Sequence, residues 1–240
     1  MAGSRVLPPA LLALTFSTGL VDAVSVLGLG QVFTANMTGN VVFLGFAAAG
    51  AGGFDVPRSG AAIVAFLVGA VLGGRIGTGA AAEIPGARER ALAVATASEC
   101  VLLALAAWFA IGYAPASLAP RGRLYAILVL CAVAMGLRNA LVRRLAVADL
   151  TTTVLTLTLT GLGADSGLAG GASPRWARRI GAVLLMAAGA ATGGALLRGG
   201  AAGALTLPLL GASGVALVVA VSMAAAARAA LPGAPGRIAP

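Results

Sequence analysis

The chain of 240 residues contains no histidine and no lysine, and only 10% of its residues are charged. Without histidine, the commonest metal ligand and general base is absent, and without lysine a serine or threonine nucleophile has only a carboxylate to activate it. Both cysteines, Cys100 and Cys131, lie within apolar runs and far from a CxxC spacing. We therefore expect neither an enzyme nor a metal site, and the sequence indicates no cofactor.

Apolar sequence is what the chain has in abundance. Its residues are 60% hydrophobic and its mean hydropathy is +1.01. A soluble domain of this size needs more charge to cover its surface. Several apolar runs approach the ~20 residues of a membrane-spanning helix. The composition therefore predicts an all-α, polytopic membrane protein, in which many of the 35 glycines let helices approach closely.

The net charge of +9 comes from 16 arginines against 7 acidic residues. Basic proteins often bind nucleic acid, but these arginines lie singly or in small groups between the apolar runs, as in loops that flank membrane helices. We expect membrane lipids to be partners of the chain, and no nucleic acid. An arginine-only, alanine-rich composition is typical of GC-rich bacterial genomes, which places the protein in a bacterial cell (inner) membrane.

One stretch, residues 15–45, is apolar overall yet carries a carboxylate, Asp22, and a run of hydroxyls and amides. A weaker copy of this stretch follows at residues 135–163. In the alignment of the two, Asp22 falls on Asn139, Thr38 on Thr156, and Gly19, Leu20 and Ala23 fall on Gly136, Leu137 and Ala140. The pattern predicts one membrane domain of two related halves, residues 10–113 and 124–227, followed by a tail at 228–240.

The apolar runs predict spanning helices at residues 10–30, 59–78, 91–113, 124–141, 180–197 and 204–227. Two further segments, 31–50 and 146–163, are polar and interrupted. If both cross the membrane, nine arginines lie inside and seven outside; if both enter and leave on one side, the numbers are twelve and four. The second distribution fits the positive-inside rule. We therefore predict six spans with two broken or re-entrant segments, and three spans per half require an inverted repeat, the common plan of secondary transporters.

The peptides TGLVDA at residues 18–23 and ANMTGN at residues 35–40 resemble the signature of the YoaK family, bacterial multi-pass membrane proteins with a domain of unknown function. The GLRNA peptide at residues 136–140 and the threonine-rich run from Thr151 are similar to the second conserved region of that family. The second half is more diverged, with Leu157 and Thr158 in place of Gly39 and Asn40. The resemblance implies a multi-pass bacterial membrane protein, and it implies no activity.

Two interpretations of Asp22 remain open. An ionised carboxylate in hydrocarbon costs several kcal/mol unless it has a partner, so intramembrane acids usually mark proton or ion pathways. The alternative is a buried structural pair with Arg138, the neighbour of Asn139. Glu99 also allows two interpretations, part of a proton relay with Asp22 or a bond to Ser98 or to another helix, of which we favour the second.

The amides and hydroxyls of the broken segments also allow two interpretations. They bind a polar solute or ion where unwound backbone lines a cavity, or they satisfy their own backbone and hold helices together. The solute or ion pathway predicted from the sequence comprises Asp22, Asn36, Thr38, Asn40, Arg138, Asn139 and Thr156.

Two functions fit these features. The first is a transporter or permease of an unknown small solute, with proton coupling through Asp22 and movement of one repeat against the other. The second is a membrane module that does not transport, such as a lipid-binding or scaffold protein. The sequence leaves a homo-oligomer open.

Overall fold

The computed structural model describes residues 6–78, 84–153, 155–198 and 203–231, and these ranges are helical throughout apart from their connecting loops. The eight α-helices are α1 Leu7–Ala23, α2 Met37–Ala48, α3 Val56–Thr78, α4 Ala87–Ala110, α5 Arg121–Leu145, α6 Thr156–Ala164, α7 Trp176–Leu197 and α8 Thr206–Ala229. A π-helical turn, Val24–Gly28, continues α1. The predicted all-α class is confirmed.

Six of these helices are long and apolar enough to cross a membrane, and α2 and α6 are not. With 12 and 9 residues, these two are about 18 and 14 Å long, well short of the ~30 Å hydrocarbon core. The outward faces of the long helices are apolar: Val64, Leu184 and Val218 are each more than 60% exposed. Such a surface needs a lipid environment, so the chain is a multi-pass membrane protein.

Most spanning helices begin earlier than the hydropathy alone predicts. The helix predicted to begin at residue 91 already starts at Ala87, after Gly86 in the left-handed region (φ 76°). Proline begins two other helices, in α1 and α3, because its fixed φ suits the first turn and the missing N–H has no partner there. Of the predicted tail, only residues 228–231 belong to the described part, where α8 ends at Ala229.

Three helix pairs form the most extensive contacts, α3 with α5, α4 with α8, and α1 with α7. The first and third pairs approach so closely that a Cβ has no room. A Cβ on Gly73 of α3 would lie 2.0 Å from the Leu137 carbonyl oxygen of α5, and one on Gly19 of α1 would lie 2.2 Å from the Met186 carbonyl oxygen of α7. Glycine therefore permits backbone-to-backbone packing, as membrane helices commonly use.

The interior consists of two apolar clusters with a polar layer between them. One cluster contains Leu29, Tyr113 and Leu205, and the other contains Leu11 and Leu92. Four helices, α1, α4, α5 and α8, contribute to both clusters. Near the point where each helix passes from one cluster to the other, it carries buried polar residues: Thr15 and Thr18 on α1, Thr96 and Glu99 on α4, Arg138 on α5 and Ser213 on α8. Buried polar and charged groups in the middle of membrane helices are costly and often mark functional sites. This layer is therefore a candidate functional region.

The backbone is irregular immediately before each short helix. Residues 29–36 connect the π-helical turn to α2, and Gly30 and Gln31 both adopt positive φ. Before α6, positive φ recurs at Ala146, Asp149 and Thr152. The left-handed region is unfavourable for a β-branched residue such as Thr152 and persists only where the surroundings enforce it. Each polar segment predicted from the sequence thus contains irregular backbone followed by one short helix.

Candidate functional site

Arg138 is the centre of the polar layer. Its side chain is fully buried, and its Nη1 donates to Glu99 Oε1 over 2.8 Å in an ion pair that is also fully buried. A buried pair with Arg138 was one of the two open interpretations of Asp22, and the structure gives Arg138 a different ion-pair partner. Glu99, on α4, is the partner, so the interpretation of Glu99 as a bond between helices describes what the structure has.

The other end of the Arg138 guanidinium reaches α1. Its Nη2 donates to Thr18 Oγ1 and to the Met135 sulfur. The Thr18 hydroxyl in turn donates to the Thr152 carbonyl oxygen over 2.8 Å. Thr152 is the residue with strained backbone ahead of α6, and this bond gives a reason for its conformation. The chain Glu99–Arg138–Thr18–Thr152 therefore connects α4, α5 and α1 to the second irregular segment.

Asn139, which the sequence alignment matches with Asp22, bonds to the same segment. Its Oδ1 accepts a hydrogen bond from Thr153 Oγ1, and its Nδ2 donates to the Met135 carbonyl oxygen over 3.2 Å. Asn139 also lines a depression of about 920 Å³ between α3, α5 and residues 146–157. Two arginines, Arg143 and Arg144, line this depression as well, so its charged groups are positive.

Asp22 lies in a different cavity, of about 520 Å³, where both irregular segments meet. From the first segment and α2 come Phe33, Asn36, Thr38, Gly39, Val42 and Phe43; from the second segment and α6 come Thr153, Leu155, Thr156 and Leu159; Met186 of α7 completes the lining. The Oδ1 atom of Asp22 is buried and has no hydrogen-bond partner among the described residues. Four of the seven predicted pathway residues, Asp22, Asn36, Thr38 and Thr156, are thus brought together.

The other three predicted residues do not line this cavity. Asn40 is fully buried and satisfies backbone: its Oδ1 accepts from the Phe33 N–H over 2.9 Å and its Nδ2 donates to the Phe33 carbonyl oxygen over 2.6 Å. For this amide the structure shows the second of the two interpretations, a side chain that satisfies its own segment's backbone. Arg138 is enclosed by Glu99 and Thr18, and Asn139 faces the other depression.

A second charged cluster anchors α6 to α7. Asp149 accepts from Arg175 and Arg179, and Arg179 also pairs with Asp165 over 2.7 Å and donates to the Gly161 carbonyl oxygen. Burial alone would raise the pKa of Asp149, but the hydrogen bonds and charges of Arg175 and Arg179 outweigh it and lower that pKa. The cluster lies outside the Asp22 cavity, and we assign it a structural role.

Sequence reasoning missed three features of this site. It did not find Thr18 and Thr152 as links in the Arg138 network, although Thr15, Thr18, Asp22 and Ser25 recur at three- and four-residue steps in the sequence. It did not foresee the π-helical turn that begins two residues after Asp22, a feature common at functional sites. The hydroxyl of Thr153 is the third, and its only signal was the threonine run itself. No group of three His, Cys, Asp or Glu residues able to hold a metal exists in the described ranges.

Comparison with known proteins agrees with the resemblance drawn from the peptide motifs. The family described as "Protein of unknown function (DUF1275)" matches residues 10–227, and the chain belongs to this family. It is also 32% identical over 150 residues to the UPF0700 transmembrane protein YoaK of Bacillus subtilis (strain 168). The matched region spans 62% of this chain and 62% of that relative. No solved structure matches the chain.

Proposed function

We propose that this member of the family is a transporter of a small polar solute in the bacterial cell membrane, and that the Asp22 cavity is its binding site. The observation that carries the proposal is the meeting of two irregular segments at Asp22, whose Oδ1 atom is buried and has no hydrogen-bond partner among the described residues. Non-helical backbone at membrane depth is tolerated where it lines a protein cavity, and transporters place their sites between such segments. The arrangement calls for no catalytic group.

An internal repeat is supported by the packing. Exchanging the two halves takes α1 to α5, α3 to α7 and α4 to α8. The α1–α7 pair then becomes the α5–α3 pair, and the α4–α8 pair maps onto itself, which are the three most extensive contacts. The glycines follow the same exchange. Gly19 packs on Met186 and Ala190, and its counterpart Gly136 packs on Phe66 and Ala70.

This packing also changes which parts would move. The sequence suggested motion of one sequential half against the other, but α1 packs on α7 and α3 packs on α5, so each pair combines both halves. In addition, α2 packs on α3 and α6 packs on α7. We propose that α1, α6 and α7 form one moving unit and that α2, α3 and α5 form the other. The Asp22 cavity then lies between the two units, where relative motion would open it to either side.

Two hydrogen bonds cross between these units and are suited to breaking during that motion. Arg138 of α5 donates to Thr18 of α1, and Asn139 of α5 accepts from Thr153. Asp22 would take up and release the coupling proton. The charged side chain whose field reaches Asp22 is Arg138, and Glu99 already neutralises it. A proton on Asp22 therefore changes the charge of the cavity.

Cysteine labelling in intact cells tests the six-span, inverted arrangement. With Cys100 and Cys131 replaced by serine, single cysteines at Gln31 and Gly52 are treated with a membrane-impermeant thiol reagent. Both positions are exposed at the two ends of the first short segment. Labelling of both from outside is expected for a segment that enters and leaves on one side. Labelling of the cysteine at 31 alone would mean that α2 crosses, and the inverted repeat would be lost.

Transport itself is tested in proteoliposomes with an imposed pH gradient and a mixture of small polar solutes, whose accumulation is measured by mass spectrometry. At least one solute should accumulate with the wild-type protein and not with Asp22→Asn, while both remain monodisperse. If no solute accumulates with wild type, the chain is not a transporter of this kind. A lower thermal stability of Asp22→Asn without any flux would favour the lipid-binding or scaffold alternative.

A further inference from the structure

The Asp22 cavity has a definite electrostatic sign. Of the described residues that line it, Asp22 alone is ionisable. Arg138, the cation of the polar layer, does not line the cavity and forms a buried ion pair of 2.8 Å with Glu99. The neighbouring depression has the opposite character, because Asn139 replaces the carboxylate and two arginines join the lining. An anionic solute therefore has no counter-charge in the Asp22 cavity, whereas a cationic solute has one.

The remaining walls argue against a bare metal ion. A calcium ion takes 6–8 oxygen ligands, and magnesium needs a near-ideal octahedron. The cavity of about 520 Å³ is far larger than such an ion and has a broad apolar side made of Val42, Leu159, Met186 and the rings of Phe33 and Phe43. The two rings stack with centroids 5.8 Å apart. Apolar and aromatic walls with a few polar groups are typical of sites for organic ligands.

Aromatic faces also attract cations through the ring quadrupole, and this attraction grows when the cation is desolvated. A carboxylate beside two phenylalanine rings can thus hold the charged nitrogen and the alkyl groups of one ligand together. The amide of Asn36 and the hydroxyls of Thr38 and Thr156 would accept hydrogen bonds from polar substituents. We infer that the Asp22 cavity binds small organic cations, amines or quaternary ammonium compounds with an apolar body. This inference rests on the proposed transport function for its physiological meaning.

Binding is measured first, separately from transport. Choline chloride is the probe, 3,3-dimethylbutan-1-ol is its uncharged isostere, and sodium chloride controls for ionic strength. Choline should raise the melting temperature of the detergent-purified protein, and the other two should not. The effect should vanish in Asp22→Asn. Phe43→Leu, which keeps an apolar side chain without a π-face, should weaken choline binding about two- to thirtyfold. Phe46→Leu is the matched control, because Phe46 does not line the cavity and its ring contacts Phe54, which in turn contacts Phe43.

Flux is then measured in proteoliposomes with radiolabelled choline, sorbitol and succinate. Choline uptake that depends on Asp22 supports both the cation site and transport. Choline binding without uptake of any solute keeps the cation site and overturns the transporter. Uptake of sorbitol or succinate, with no choline binding, keeps the transporter and overturns the cation site. Stabilisation by sodium or by the uncharged alcohol to the same degree as by choline would also overturn the cation site, and no binding or uptake at all would overturn both.

Discussion

Because α3 packs closely on α5, adding one methyl group at Gly73 should lower the unfolding free energy of the protein. In Gly73→Ala the new Cβ would lie 2.0 Å from the Leu137 carbonyl oxygen and 2.7 Å from its carbonyl carbon. A comfortable carbon–oxygen contact is about 3.3 Å or longer, so the two helices must separate by roughly 1.3 Å. The obstacle is backbone of a helix, which no change of rotamer can relieve.

Overpacking of this kind usually costs about 1–3 kcal/mol, and a backbone obstacle places Gly73→Ala at the upper end. Replacing a helical glycine recovers about 0.5–1 kcal/mol of conformational entropy. We therefore expect a net loss of about 2 kcal/mol in unfolding free energy. The next residue provides the control, because a Cβ on Gly74 would meet nothing within 4 Å. Gly74→Ala should be neutral or slightly stabilising.

The assay is reversible unfolding in mixed detergent micelles, followed by circular dichroism, for both variants and the wild type. Since Leu137 precedes Arg138, displacement of α5 should also reduce transport by Gly73→Ala, whereas Gly74→Ala should transport normally. If the two variants unfold within about 0.5 kcal/mol of each other, the close approach of α3 and α5 is wrong, and the assignment of the moving units falls with it.

Two further predictions concern the charged groups. Removing either Arg138 or Glu99 should lower the unfolding free energy by about 3–5 kcal/mol, because the other charge is left uncompensated. In the same unfolding assay, the double variant Arg138→Met with Glu99→Gln should lose clearly less than the sum of the two single variants. Additive losses would contradict the ion pair. For Asp149, the folded pKa is lowered, so its stabilisation is complete above the unfolded value of about 3.9 and is lost as pH falls through the folded value. Asp149→Asn should therefore lower the melting temperature at pH 7, and this difference should shrink as the pH is lowered below about 3.9. A difference that does not change with pH would argue against the arginine contacts.

The spanning helices were predictable because hydropathy is summed over many residues. A run of about 20 consecutive apolar residues is long and apolar enough to cross the membrane as a helix. Helix ends were less predictable, since they depend on single positions. At α4 the left-handed Gly86 starts the helix four residues before the apolar run, and Arg88 and Arg90 become helical although they are charged.

The partner of Arg138 shows what the sequence could not provide. The repeat aligned Asp22 with Asn139, and the adjacent Arg138 looked like a natural counter-ion across the interior. Neighbours on an α-helix, however, point about 100° apart. Asn139 therefore faces the second irregular segment, while Arg138 faces Glu99 of α4. To predict which of Asp22, Glu99 and Arg138 form an ion pair, one must know how each helix is rotated about its own axis. Hydropathy does not encode this rotation.

The difference between Asp22 and Asn139 carries the functional argument one step further. If the halves arose from one ancestral segment, each would have offered the same residue at the same depth, and a symmetric pair of cavities would result. Here one position is a carboxylate with a buried, unpartnered oxygen, and the other is an amide engaged with Thr153. The amide fixes the second segment in place, and the carboxylate is left available to a ligand. Asn139→Asp should therefore keep the bond from Thr153, because a carboxylate oxygen also accepts, and lose the bond to the Met135 carbonyl oxygen. It should not create a second cation site, because Arg143 and Arg144 already line that depression.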